Sequence, residues 1–374
     1  MRVLFLSGYS HPSHHRKVEL LADAADVELT HILPPDCGRA PGYYPSADGT
    51  RRYEVRHLPI RFPHGQFNAH RIYHWPPRFS LRELRPRIIH CEHEQESLLS
   101  AEVALARAAL APNSALILYT WQNILRGRRL PVRILSAFTM RSAQHIMCAS
   151  EEAVSVLRRQ GYHGGHSVMP LFGLDTRYFS PKPAGDLRAS QKLDGFVVGY
   201  AGRLVKEKGL ETLLQAIAQV PAPVVLVLIG DGPERVPLQQ LARQLGIACR
   251  CHFVPAVSID RVADYLNALD VLVLPSRTTP NWKEQYGRVL VEAMACKVAV
   301  IGSDSGAIPS VIGDAGRIFP EGQAAALAAI VAELASDQAL RQSLAERGYQ
   351  RALERYCVER LAADILAIWH TLAG

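Results

Sequence analysis

The chain has 374 residues, which suits two domains of ordinary size, and with 48% hydrophobic against 21% charged residues each domain can bury a core. No apolar run reaches the roughly 18 residues needed to cross a bilayer, and seven irregularly spaced cysteines do not make a disulfide framework, so a cytoplasmic location is expected. The net charge of +7 is lodged in the first half: residues 1–180 hold 22 Lys and Arg against 15 Asp and Glu, whereas residues 181–374 hold 20 against 20.

The opening residues MRVLFLSGYS carry too short an apolar stretch for a secretory signal and read as a first buried strand. Beyond Gly8 come His11, Pro12, Ser13, His14, His15 and Arg16, which form either a solvated or an active-site loop, or part of a metal site that lacks its remaining ligands. Residues 34–80 are polar, aromatic and proline-rich without clear periodicity, the character of a functional or disordered loop. Further strands are expected at residues 88–90, 116–119 and 145–148. The first of these ends in His90, Glu92 and His93, which either serve the structure or position and deprotonate an acceptor. Residues 123–133, NILRGRRLPVR, mix arginine with apolar side chains. Such a segment either lies on a lipid headgroup layer, reads an anionic acceptor, or is an ordinary solvated helix and loop. Every basic residue of the first half except Lys17 is arginine, which suits an anionic partner or serves solubility alone.

Residues 175–195 have a linker composition, placing a domain boundary near residue 180. Strands then alternate with amphipathic helices, at residues 197–200, 224–229, 271–274 and 298–301, the pattern of a parallel α/β sheet. Cys249 and Cys251 are expected to be buried thiols. Residues 333–372 are helical by pattern. Two α/β halves would face each other across a cleft at the carboxyl ends of their strands, where such sheets bind ligands.

Two segments carry chemistry. In GYAGRLVKEKG, Arg203 and Lys208 follow a strand and precede a helix; they suit a diphosphate, because arginine grips phosphate oxygens in pairs and lysine adds a point charge, or they form an exposed loop. In PSRTTPNWKEQYGRVLVEAMAC, Glu284 lies in a loop and a helix starts near Gly287. Glu292 sits about 60° round from Val289, at the edge of that helix's apolar stripe. A carboxylate there needs hydrogen-bond partners, which ribose hydroxyls would supply. Between the two glutamates the free N–H groups of the helix N-terminus make an anion site.

In their order, GRLVKEKG, IGDGPE, ADYLNALDVLVLPS, EQYGRVLVEAMAC and GSDSGAIPSVIGDAG resemble the family 4 retaining glycosyltransferases, the glycosyl transferases group 1. PRIIHCEHEQES, YTWQNI, MCASEEAVSVLRRQGY and PLFGLDTRYFSP resemble the same family more loosely. The resemblance implies a GT-B fold, with two Rossmann-like domains whose parallel sheets face across a cleft. It divides the chain into an acceptor-binding domain at 1–180, a nucleotide-sugar-binding domain at 181–355 and a helix at 356–374 packing back toward the first domain. It implies a hexosyl unit moved from a nucleotide-diphosphate sugar, a co-substrate, to a hydroxyl of a sugar, lipid-linked or small-molecule acceptor, without a cofactor or metal. Cell-surface polysaccharide or glycolipid synthesis is favoured, in the cytoplasm or peripheral at the inner membrane face, and nucleic acid is not expected as a partner. Arg203 and Lys208 would hold the diphosphate and Glu284 the sugar hydroxyls. Gly202 and the backbone from Tyr286 through Gly287 and Arg288 to Val289 would cradle sugar and phosphate, with Glu292 on the ribose and the backbone of Phe253 and Val254 at the base. Gly8, His11, His90, Glu92 and His93 would lie on the acceptor side. A sugar-nucleotide epimerase or a silent binding protein could share the architecture. The chain departs from the family at Lys297, where a glycine usually eases a left-handed helix end, and at Ser310, where glutamate is common.

Overall fold

The computed structural model describes every residue except 10, 36–38, 59, 62–71, 74–80 and 222. The chain divides into two compact units, residues 1–173 with 358–374, and residues 174–357.

The first unit opens with strand β1 (Arg2–Leu6) and helix α1 (Pro12–Asp23), followed by β2 (Glu28–Leu33), β3 (Gly42–Pro45) and β4 (Arg52–His57). A two-stranded ribbon of β5 (Ile60–Arg61) and β6 (Ile72–Tyr73) and a short helix α2 (Leu81–Leu84) lead to β7 (Ile88–Cys91). Then α3 (Leu98–Leu110), β8 (Ala115–Thr120), α4 (Leu130–Ser142), β9 (His145–Cys148), α5 (Glu151–Arg159) and β10 (Gly165–Val168) alternate. The sheet order is β10-β9-β8-β7-β1-β2-β4-β3, parallel except for β3. Alternate residues of the central strands feed two cores: Val3, Phe5, Ile88 and Ile117 on one face, Leu4, Leu6, Ile89 and Leu116 on the other. Burial on both faces is why these strands read as continuous apolar runs. β3 and β4 lie within the stretch read as structureless. Their half-exposed pattern, at the sheet's edge, carries little periodic apolar signal.

The second unit runs α6 (Gly185–Gln191), β11 (Phe196–Ala201), α7 (Leu210–Gln219), β12 (Val224–Ile229), α8 (Arg235–Gln244), β13 (Cys251–Val254), α9 (Ile259–Asn267) and β14 (Val271–Leu274). It continues with α10 (Arg288–Ala295), β15 (Ala299–Ser303), α11 (Ile308–Ile312), β16 (Arg317–Phe319), α12 (Ala324–Ser336) and α13 (Gln338–Tyr356). All six strands are parallel, in the order β13-β12-β11-β14-β15-β16 around one core. Residues 358–374 then return to the first unit as α14 (Val358–Ala373), which packs on α1. Its Trp369 is fully buried, and the indole N–H donates to His90 Nδ1 at 3.0 Å.

The observed boundaries, after residues 173 and 357, differ from the expected 180 and 355. The polar linker is part of the second unit: Leu174 and Phe179 join its core, and the buried Asp175 holds Arg177 at 2.6 Å. Cys249 is exposed and Cys251 half-buried, because a 3-10 turn at Ala248–Arg250 carries Cys249 to the surface. Lys297 does adopt the left-handed backbone, with φ of 56°, and its ammonium pairs with Glu346 at 2.8 Å. Ser310 donates to the Ala307 carbonyl within its own helix, at 2.8 Å.

Candidate functional site

In a doubly wound sheet, ligands collect at the carboxyl end where neighbouring strands send their connections to opposite sides, because the loops part there. In the second unit that point lies between β11 and β14. The loop after β11 carries Gly202, Arg203 and Lys208, and the segment between β14 and α10 carries Glu284 and Tyr286. The structure joins the two: Lys208 Nζ donates to Glu284 Oε2 at 2.6 Å, and the buried Ser276 hydroxyl donates to the same oxygen at 2.8 Å. Lys208 also lies over the Trp282 ring, 5.0 Å from its centroid. Glu284 is only 7% exposed, so its orientation is fixed by these two donors. Arg203 is exposed beside them, and its backbone carbonyl accepts from the buried Tyr200 hydroxyl at 2.8 Å.

Close backbone approaches shape these loops, and two are the tightest. A Cβ on Gly230 would stand 2.0 Å from the Gly202 carbonyl oxygen, and one on Gly306 would stand 2.0 Å from that of Glu284. Both glycines have positive φ, 133° and 54°, so only glycine suits either position. We expect Gly306→Ala to push the Glu284 backbone away and break the Lys208–Glu284 contact. Its cost should be about 1–3 kcal/mol of stability, read from denaturant melts, with a crystal structure of the variant reporting the displaced carboxylate.

Gly287, with φ of 76°, caps α10 without a side-chain hydrogen bond, and no acidic residue stands in that helix's first turn. The helix therefore presents backbone N–H groups and the positive end of its dipole beside Glu284. Arg288 is exposed, Val289 half-buried, and Arg288 Nε donates to Glu292 Oε1 at 2.9 Å. Glu292 is 6% exposed; burial raises its carboxyl above the usual range, and Arg288 pulls the other way. Burial likewise lifts the Tyr286 phenol well above its ordinary value, and its hydroxyl has no hydrogen-bond partner among the described residues. Phe253 and Val254 end β13, and their carbonyls accept within the unit, from Arg235 Nη2 at 2.9 Å and from the Gly230 N–H at 3.0 Å. What they leave for a ligand is the Phe253 side chain and the chain beyond. Ser276, though inside the segment that carries Glu284, and Arg235, just past IGDGPE, drew no attention in the sequence, because nothing local shows that their side chains turn to Glu284 and to the end of β13.

The first unit has its own point of divergence, between β1 and β7. Gly8 stands there against His93, whose Cε1 would lie 3.6 Å from a Cβ on Gly8. His11 is half-buried and caps α1, its Nδ1 accepting from the Ser13 N–H at 3.2 Å. His90 and Glu92, expected to meet an acceptor, are instead fully enclosed within the unit. Glu92 accepts from Lys17 Nζ at 2.5 Å and from His14 Nε2 at 2.7 Å, and Lys17 also donates to the Leu171 carbonyl at 2.9 Å. Because Trp369 donates to His90 Nδ1, the imidazole proton sits on Nε2, 3.6 Å from Glu92. Burial holds His90 down to about 3 and His14 well below its ordinary value, so both rings are neutral supports for a buried ion pair. The sequence held one signal for this pair: Lys17 is the only lysine among 22 basic residues of the first half.

Known proteins resemble the chain unevenly. Residues 186–351 match the family described as glycosyl transferases group 1. N-acetyl-alpha-D-glucosaminyl L-malate synthase of Bacillus anthracis is 34% identical over 169 residues, covering 44% of this chain and 42% of that protein. The lipopolysaccharide core biosynthesis glycosyltransferase LpsE of Rhizobium meliloti is 34% identical over 177 residues, 47% of this chain and 50% of that one. The chain thus spans about half the length of the curated relatives it matches. Anabaena HepE, solved in complex with UDP, superposes over 99% of this chain and 100% of its own with a TM-score of 0.75 at 20% identity, a likeness of fold. With its two parallel-sheet units the chain has the GT-B architecture, and residues 186–351, under half of its length, are similar to the glycosyl transferases group 1 family.

Proposed function

We propose that the chain is a retaining glycosyltransferase that binds a nucleotide-diphosphate sugar on its second unit and passes the hexosyl group to an acceptor hydroxyl. The observation that carries this reading is the Lys208–Glu284 pair, held between Ser276 and the uncapped N-terminus of α10. Bond breaking at the anomeric carbon leaves negative charge on the departing diphosphate. Arg203, Lys208 and the α10 N–H groups supply fixed positive charge for it, so no metal is required. An ammonium has three donors, and Lys208 can hold Glu284 and a phosphate oxygen together. Glu284, aimed by two donors, accepts from hydroxyls of the transferred sugar, and Glu292 accepts from the ribose. HepE, a neighbour in fold, has been crystallised with UDP and with UDP-glucose, which supports a nucleotide sugar as the donor.

The test is calorimetric titration of the full chain with UDP- and GDP-hexoses in EDTA, followed by NMR of the product with acceptor glycans. Binding of one nucleotide sugar, with release of its nucleoside diphosphate and an unchanged anomeric configuration, is the expected result. Conversion of the nucleotide sugar to its epimer, with no sugar transferred to any acceptor, would favour an epimerase, and failure to bind any nucleotide sugar at millimolar concentration would sink the proposal.

A further inference from the structure

The first unit holds a cavity of about 620 Å³ between α4, the segment before it and the end of α5, within the size range of small-molecule sites. Its lining has two characters. Leu125, Leu130, Ile134 and Met140 give it an apolar wall, and Arg126, Arg128, Arg133 and Arg159 line the rest. Among the lining residues Glu96 is the only carboxylate, and it is paired with Arg128 at 2.6 Å. Glu96 itself accepts from the side-chain amides of Gln122 and Gln160, at 3.0 and 3.2 Å, so the Arg128 guanidinium is oriented before any ligand arrives. Two enclosed donors are left over. Arg128 Nε and the Ser136 hydroxyl have no hydrogen-bond partner among the described residues. On the same helix Thr139 and Ser142 each donate to the carbonyl four residues back, at 2.9 Å, the ordinary way to satisfy a helical hydroxyl. Ser136 is 6% exposed and makes no such bond. Enclosed donors without an acceptor are rare because they are costly, and an acceptor from outside the chain would complete them.

We propose that this cavity binds a small organic phosphate monoester, its dianion held by Arg128, Arg133 and the Ser136 hydroxyl and its organic part resting on Leu130, Ile134 and Met140. A phosphate offers three free oxygens, one for each donor group, where a carboxylate offers two. The apolar wall adds affinity only for a ligand that carries an apolar body. The lining comes wholly from the first unit and neither donor-binding loop contributes to it, so the proposal is independent of the transferase reading.

The experiment is calorimetric titration of the full chain with hexyl phosphate, ethyl phosphate, hexanoate and inorganic phosphate. Hexyl phosphate is expected to bind on the order of a hundredfold tighter than ethyl phosphate, since each buried methylene gives about a fourfold gain. Hexanoate should bind about tenfold more weakly than hexyl phosphate, having one oxygen and one charge fewer. Arg133→Gln should weaken hexyl phosphate about tenfold, and Ser136→Ala about fivefold with an unchanged melting temperature, because that hydroxyl holds nothing in the free chain. Ile134→Ser should weaken hexyl phosphate about tenfold and leave inorganic phosphate as it was. Lys208→Ala should bind hexyl phosphate like the parent, which separates this cavity from the donor-binding loops. Equal affinity for hexyl and ethyl phosphate, hexanoate binding as tightly as hexyl phosphate, parent-like binding by Arg133→Gln and Ser136→Ala, or loss of binding in Lys208→Ala would each overturn the proposal.

Discussion

Replacing Lys208 by alanine is expected to slow sugar transfer by about two to three orders of magnitude, the usual cost of removing one fixed donor from developing charge. The loss should appear in kcat, because the charge on the diphosphate grows only as the glycosidic bond breaks. Glu284→Gln should cost a similar amount by another route. It keeps the shape of the side chain while removing the negative charge that holds Lys208 at 2.6 Å. Since the two groups touch, the double variant should fall far short of the sum of the single effects. Glu292→Ala should behave differently and raise KM about tenfold with little change in kcat, because a ribose contact is alike in ground and transition states. Steady-state kinetics on the four variants checks the set. Additive losses, or a Lys208→Ala enzyme within a factor of about three of the parent, would remove the pair from the mechanism.

Acid should unfold the first unit while the second still stands. His14, His31 and His90 are completely enclosed, and burial, the leading cause in each case, holds all three below the ordinary 6.5, His90 down to about 3. The folded unit keeps these rings neutral while the unfolded chain takes up protons once the pH drops below 6.5. Their contribution is therefore complete above that value and is lost as the pH falls toward the lowered values. Each ring costs about 1.4 kcal/mol per pH unit in that window. Three together cost on the order of 4 kcal/mol per unit, partly offset by the buried Glu94, whose carboxyl burial lifts to about 7, against a total stability of about 5–15 kcal/mol for a domain. The second unit carries one histidine, His252, and it is only half-buried. Its buried Glu292, with a raised carboxyl, leans the opposite way. Hydrogen exchange followed from neutral pH to about pH 4.5 should show β1 and β7 opening before β11 and β14, near the ordinary histidine range. A single transition shared by both units would contradict this.

The central strands were legible because parallel strands buried on both faces need unbroken apolar runs, and His145–Cys148, Val224–Ile229 and Val271–Leu274 have the expected bounds. Edge strands were not, since half of their residues face water: Gly42–Pro45 alternates half-buried with exposed positions, and Gly165–Val168 is almost wholly exposed. The loop residues of the second unit stood out by motif, but their pairing did not. Lys208 and Glu284 are 76 positions apart, and only the sheet order brings them together. Glu292 was placed beside the apolar stripe, while its Arg288 partner at helical spacing was overlooked. In the first unit the strand-end histidines and Glu92 looked available for chemistry, because one-dimensional spacing says nothing about which side chains will close over them. Trp369 is 279 positions from His90 and no local pattern joins them.

That last contact sets an order of assembly. A ribosome delivers the strands of the first unit early, yet Val358–Ala373 emerges only after all of residues 174–357. Until then the groove on α1 is open, Phe5 and His90 lack their indole neighbour, and the ion pair between Lys17 and Glu92 has an incomplete wall. The unit begun first is thus the one finished last, and the second unit, whose 174–357 segment is contiguous, can complete its core while still tethered to an unfinished partner.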